Sequence, residues 1–139
     1  MGFLSSIDIS GSALTAQRLR MDVISSNIAN AETAETETGD PYRRRVCVLN
    51  ERKSFSSELG SAMSAGVKVE RIVEDESNFE LDYNPTSPLA DENGYVRMPN
   101  VDEVEELIDL VSATRSYEAN ITALNATKNM SLKALEIRS

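Results

Sequence analysis

The side chains that could do chemistry in this chain are carboxylates, hydroxyls, amides and one thiol. Asp and Glu together number 23, but histidine is absent, which removes the usual general base, the usual proton shuttle and the commonest metal ligand. The serines have no histidine to activate them. No pattern among the acids demands pairing, and a charged surface accounts for them. Asp91-Glu92-Asn93-Gly94 looks like part of a calcium loop, yet it lacks the alternating ligand spacing and the distant bidentate Glu. Cys47 is the single cysteine and cannot form an intrachain disulfide. Between Val46 and Val48 it reads as a small buried apolar residue of a strand rather than a reactive thiol. There is no phosphate-cradling glycine loop, no CxxC and no nucleophile elbow. The residues predict no catalytic group, no metal and no cofactor.

Amides are the unusual feature. Asn27 and Asn30 lie in one helical pattern and Asn120, Asn125 and Asn129 in another, although Asn is a poor helix former. Asn30 reads either as the cap of its helix or as one of a set of buried amides that fix register between packed helices at some cost in stability.

The element carrying the second group is a run from Asn100 to about Ile137 without Gly or Pro. Pro99 blocks helix further back, Asn100 is placed to cap the first turn, and Glu103 sits where a capping-box acid belongs. Asp102, Glu103, Glu105 and Glu106 crowd the positive end of the helix dipole, while Lys133 and Arg138 lie near its negative end. At 1.5 Å per residue the run spans on the order of 50 Å. Its apolar residues make two rows. Leu107, Leu110, Tyr117, Ile121 and Leu124 follow a three-and-four spacing broken by Thr114; Val104, Ile108, Val111, Ala119, Ala123, Ala126 and Met130 make the second. One reading is a long core helix of an ordinary small bundle. The other is a helix that needs neighbours from other chains.

A second helical pattern runs from about Ser5 to Ala31. Ile7, Leu14, Met21 and Ile28 recur every seven residues, with Ile24 and Ala31 extending the stripe. Ser10 and Gln17 weaken it, and Gly11 costs on the order of 1 kcal/mol relative to Ala. Such a helix is marginal alone and depends on partners. The economical arrangement pairs the two terminal helices and leaves the middle as an insertion, with apolar surface left over on the C-terminal helix as an association face. The expected fold is mainly α with a small β insertion: long N- and C-terminal helices paired as a coiled-coil-like bundle, with short strands and hairpins between them.

In that middle, Glu32 to Asp40 is acidic, rich in Thr and bare of large apolar residues, a loop or flexible linker. Tyr42 to Leu49, Gly66 to Val73 and Phe79 to Tyr83 alternate as strands do. The segment 54–66 has loop composition, Asn84 to Pro88 forces an extended turn, and Asn93-Gly94 signals a hairpin leading into Tyr95 to Met98. The organisation is thus 1–31 as an N-terminal helix, 32–99 as linker and small β-containing region, and 100–139 as a C-terminal helix.

A net charge of −9 argues against nucleic acid as a partner. The basic run Arg43, Arg44 and Arg45 reads as a solvated or partner-facing strand edge. Hydrophobic and charged contents of 40% and 27% are those of a soluble globular protein. No stretch reaches the length of a membrane span, and the N-terminus has neither the basic start nor the apolar core of a signal peptide. Gly2 and Ser6 fit the short myristoylation pattern, which has many false positives.

Ser12 to Thr33, Pro41 to Arg45 (PYRRR), Ala90 to Val101 (ADENGYVRMPNV) and Ser112 to Ile137 (with its YEAN tetrapeptide) together resemble the bacterial flagellar rod and hook axial proteins, over more than half the chain. The first motif is shared across that superfamily; its combination with the other three resembles one family of proximal-rod proteins. Asn84 to Ala90, and the Thr-rich stretch after Ala31, depart from the family pattern. The resemblance implies a structural subunit of the basal-body proximal rod that self-assembles with other rod proteins into a helical tube around the export channel and transmits torque from motor to hook and filament. It implies export through the flagellar type III apparatus without a cleaved signal, a place in the periplasmic space, and contacts with copies of itself, with proximal and distal rod proteins and with a membrane-ring adaptor. Direct membrane insertion is not expected. On this reading Ile7, Leu14, Met21, Ile24 and Ile28 meet Leu107, Leu110, Ile121 and Leu124 within a subunit, while Val104, Ile108, Val111 and Met130 meet other subunits, an assignment the sequence would allow to be exchanged. The alternatives are an adaptor that binds partner helices in a groove between its own two, and a carboxylate enzyme, which would need two perturbed acids in a cleft.

Overall fold

A computed structural model describes residues 3–52 and 66–136. Helix α1 spans Phe3–Ala29, strands β1 and β2 span Arg45–Glu51 and Val67–Glu74, β3 and β4 span Glu80–Tyr83 and Tyr95–Met98, and helix α2 spans Glu103–Glu136. Both helices and all the expected strands are present, within a few residues of the boundaries the pattern gives. The loop expected over 54–65, the myristoylation pattern at Gly2, and Arg138 at the helix end fall outside the described residues.

The two helices run antiparallel. Asn27 of α1 is bonded to Glu106 near the start of α2, and Met21 to Thr114 further along it. On α2, flanked by half-buried Asp109 and Ser116, the residues Glu106, Leu110, Ala113, Tyr117, Asn120, Leu124, Thr127 and Ser131 are buried or half-buried. Their spacing of four and three keeps one narrow stripe facing inward along the helix.

Helix α1 ends at Ala29, and the next residue, Asn30, donates to the Ser26 carbonyl from both its side-chain amide at 2.8 Å and its backbone amide at 3.2 Å. The start of α2 differs from expectation. Asp102, not Asn100, caps it, with its carboxylate accepting from the amides of Val104 at 2.8 Å and Glu105 at 3.2 Å. Asn100 is drawn elsewhere: its amide donates to the Ser77 hydroxyl and the Asp75 carbonyl, and its oxygen accepts from the Arg44 amide.

The strands form two separate antiparallel pairs. In the first, Arg45 faces Glu74 and Glu51 faces Val67, with the register slipping between Val48 and Leu49 so that Glu70 is the extra, bulged residue. This pair lies against α1. Gly66 enters β2 at φ +111°, and a Cβ there would run into the Ser12 hydroxyl. That hydroxyl accepts from the Val67 amide at 3.0 Å and donates to the Ile9 carbonyl at 2.7 Å, so close backbone approach is what ties the hairpin to the helix. Cys47 is half-buried in β1 beside the Leu19 carbonyl, and burial pushes its thiol pKa up against the opposing pull of Arg20.

In the second pair Tyr83 faces Tyr95 and Glu80 faces Met98. The link between them covers 84–94, longer than a two-residue hairpin. Its Asp91 accepts from the amides of Asn93 and Tyr95, and Gly94 closes the turn at φ +83°. That use of Asp91 as a turn-former accounts for the stretch that looked like a partial calcium loop. Among the described residues no cluster of Cys, Asp and Glu could hold a metal, and no helix is long and apolar enough to cross a membrane. A small apolar core gathers Ala31, Tyr42 and Val101 from the segments that follow α1 and precede β1 and α2, and Pro99 is fully buried.

Candidate assembly site

The site is built by the strap 41–45, which leads into β1 and bonds to both helices, to Asn27 of α1 and Glu106 of α2. Asn27 is 1% exposed, and its amide has every valence filled. Its nitrogen donates to the Arg45 carbonyl at 2.8 Å and to Glu106 Oε2 at 2.9 Å. Its oxygen accepts from the Tyr42 hydroxyl at 3.0 Å and the Arg45 amide at 2.9 Å. A buried amide satisfied on all sides fixes one geometry, because any other leaves polar atoms without partners in a dry setting.

Glu106 is as buried as Asn27, and a buried carboxylate needs a counter-charge. Arg44 supplies it, with Nε 2.6 Å from Glu106 Oε1 and Asp75, Glu105 and Asp109 between 3.8 and 3.9 Å from its other nitrogens. Burial lowers the guanidinium pKa, but the hydrogen bond and charge of Glu106, with Glu105 and Asp75, outweigh it and the pKa is raised. Arg43 lies over the Phe79 ring, 4.3 Å from its centroid, and Arg45 pairs with Glu74 at 3.8 Å. Arg44 is therefore not at a solvated edge but is an internal clasp joining α1, through Glu106 and Asn27, to α2 and the end of β2, with Arg43 half-buried over Phe79, whereas Arg45 is exposed beside Glu74. The acid of the first turn that faces Arg44 is a core partner as well as a dipole partner.

The residues expected to serve in packing and assembly divide around this clasp. Ile24 and Asn27 are buried, and Ile7, Leu14, Met21, Ile28 and Asn30 are half-buried on α1. On α2, Leu110, Tyr117, Asn120 and Leu124 are half-buried on the stripe toward α1, where the Asn120 amide donates to its own helix at Ser116. Val104, Leu107, Ile108, Val111 and Met130 are each more than half exposed, and Ile121 is exposed as well. The two rows read from the sequence are divided differently in the fold: Leu107 belongs with Val104, Ile108 and Val111 on the side away from α1. The sequence pattern gives Tyr42 to a strand, Arg44 to a solvated or partner-facing edge and Glu106 to the helix dipole, and none of them to the interior. The available signal was Glu106 itself, an acid standing in phase with the stripe of Leu110, Ala113 and Tyr117.

This geometry, a helix pair clasped to small strand pairs with an apolar face left open, suits an assembly component. Comparison with known families gives its class. The family described as "Flagella basal body rod protein" matches residues 7–34, and "Flagellar basal body rod FlgEFG protein C-terminal" matches residues 92–137. The chain is 56% identical to the flagellar basal-body rod protein FlgC of Bacillus subtilis, across 95% of both chains. It is 45% identical to that of Salmonella typhimurium, across 99% of this chain and 98% of the relative, and 39% identical to that of Aquifex aeolicus, across 98% and 97%. The chain belongs to the FlgC family of flagellar basal-body rod proteins, and its role is that of a structural rod subunit.

Proposed function

We propose that the chain is a subunit of the proximal rod, built with copies of itself and with other proximal and distal rod proteins and a membrane-ring adaptor into a helical tube around the export channel, through which torque passes to hook and filament. It reaches the periplasmic space through the flagellar type III export apparatus without a cleaved signal. Residues 1–31 and 100–139 form the axial layer and pair in coiled-coil-like fashion; 32–99 stand outside it. Subunits related head to tail by a rotation that does not close build such a tube.

The observation that carries this reading is the exposed row Val104, Leu107, Ile108 and Val111. Four adjacent apolar side chains on the side of α2 away from α1 constitute an association face. Helices of this kind gain much of their stability only when that face is covered.

The test is far-UV circular dichroism with sedimentation on the dilute chain and on the assembled form, for the wild type and for Ile108→Glu. Helix content should rise on assembly in the wild type. The variant should match the wild-type monomer and fail to assemble, since burying the new carboxylate costs several kcal/mol. A monomer that is fully helical and indifferent to concentration, or a variant that assembles normally, refutes the reading and favours an adaptor.

A further inference from the structure

All four residues of β3 are exposed, Leu81 and Tyr83 at 63% and 64%. The pairing pattern fixes which way their backbone points. The Asn84 amide donates to the Gly94 carbonyl at 3.0 Å, so the neighbouring pair Tyr83 and Tyr95 is of the non-hydrogen-bonded kind, as is Leu81 with Arg97. On the β4 side the outward groups of Tyr95 are taken by Asp91, whose amide donates to the Tyr95 carbonyl at 2.9 Å and whose carboxylate accepts from the Tyr95 amide at 3.0 Å. On the β3 side the N–H and C=O groups of Leu81 and Tyr83 have no backbone partner among the described residues. This edge carries no proline, lysine or bulge; its protection against indiscriminate pairing rests on its four-residue length and on the negative charges of Glu80 and Asp82, which a cationic strand would neutralise.

The side chains along the edge give it a chemical preference. Leu81, Tyr83 and Tyr95 share one face, the two rings meeting edge to face at 5.2 Å, and exposed Leu89 follows in the connecting loop. Glu80 and Asp82 project from the opposite face of β3, and Asp91 and Glu92 stand exposed in the loop. The cation on this face, Arg97, is already paired with Asp40 at 3.1 Å.

We propose that β3 is a strand-addition site for an extended segment of a partner protein in which apolar residues alternate with lysine or arginine. The segment's backbone pairs with Leu81 and Tyr83, its apolar side chains cover the Leu81–Tyr83–Tyr95 face, and its cations meet Glu80 and Asp82 across the edge. This surface is separate from the apolar row of α2, and the proposal stands whether or not that row mediates rod assembly.

The test is amide hydrogen exchange and NMR titration of the full-length chain with a blocked peptide of alternating lysine and valine, against one of alternating glutamate and valine. The lysine peptide should slow exchange at the Leu81 and Tyr83 amides, with binding that weakens as salt is added. Leu81→Arg, at a position too exposed to matter for folding, should bind it about tenfold more weakly, with an unchanged circular dichroism spectrum. No binding, equal binding of the glutamate peptide, or protection that spares Leu81 and Tyr83 overturns the proposal.

Discussion

Replacing Asn27 with alanine tests whether the clasp holds the fold together. The substitution strips partners from four groups, but they do not suffer equally. The Arg45 amide and carbonyl lie at a part-buried strand start that water can reach, whereas the Tyr42 hydroxyl and Glu106 Oε2 are buried. A buried polar group left unpaired costs about 1–3 kcal/mol, so the two buried orphans together place the expected loss at roughly 2–6 kcal/mol, a large share of the roughly 5–15 kcal/mol typical of whole domains. Tyr42→Phe removes one donor and leaves Asn27 Oδ1 bonded to the Arg45 amide, so it should cost only about 1 kcal/mol. The double variant should be no worse than Asn27→Ala, because the Tyr42 hydroxyl has nothing left to lose. The assay is urea unfolding followed by far-UV circular dichroism, with an unchanged m value as the check that the folded reference is the same. A loss below about 1 kcal/mol for Asn27→Ala, or strict additivity with Tyr42→Phe, would refute the reasoning.

Three further outcomes follow from the same structure. Asp75 accepts from the Ser77 amide at 2.9 Å, and that bond first, then the Ser77 hydroxyl, holds its pKa below the ordinary 3.8 against desolvation, with Arg44 and Arg43 adding smaller pulls in the same direction. A carboxylate depressed in the folded state contributes stability above its unfolded pKa that is lost as pH falls through the folded value, so Asp75→Asn should be less stable than wild type at neutral pH and should converge with it in acid titrations as pH falls below that depressed pKa. Gly66→Ala should destabilise by about 1–3 kcal/mol, from the strain of positive φ and the collision with Ser12, and hydrogen exchange should show the loss concentrated in β1 and β2. Asn120→Leu should keep the monomer's helix content but impair ordered assembly as seen by electron microscopy; normal tubes from the variant would remove any role for that amide in setting register.

The terminal helices, the acidic stretch between α1 and β1, and the strands were legible because helical and extended periodicity are local properties of a dozen residues or fewer. Cap assignment was only half legible: Asn100 and Asp102 are both good caps by type, and the choice fell to Asp102 once Asn100 was engaged by Arg44, Asp75 and Ser77. The sequence motif Pro41 to Arg45 marked the strap as special without saying what it touches.

By itself, then, the sequence determined where helices and strands form and that the two terminal helices carry apolar stripes. Only the tertiary structure decided that Glu106 and Arg44 belong to the interior, that Asn27 spends both its donors and both its acceptors there, and that Leu107 sides with the outward row. The physical reason is that burial of a polar group is settled by partners distant in sequence: Asn27 and Glu106 are 79 residues apart, Arg44 and Glu106 62. No window along the chain contains both members of either pair, and a charge is tolerable inside only when the fold has already delivered its partner.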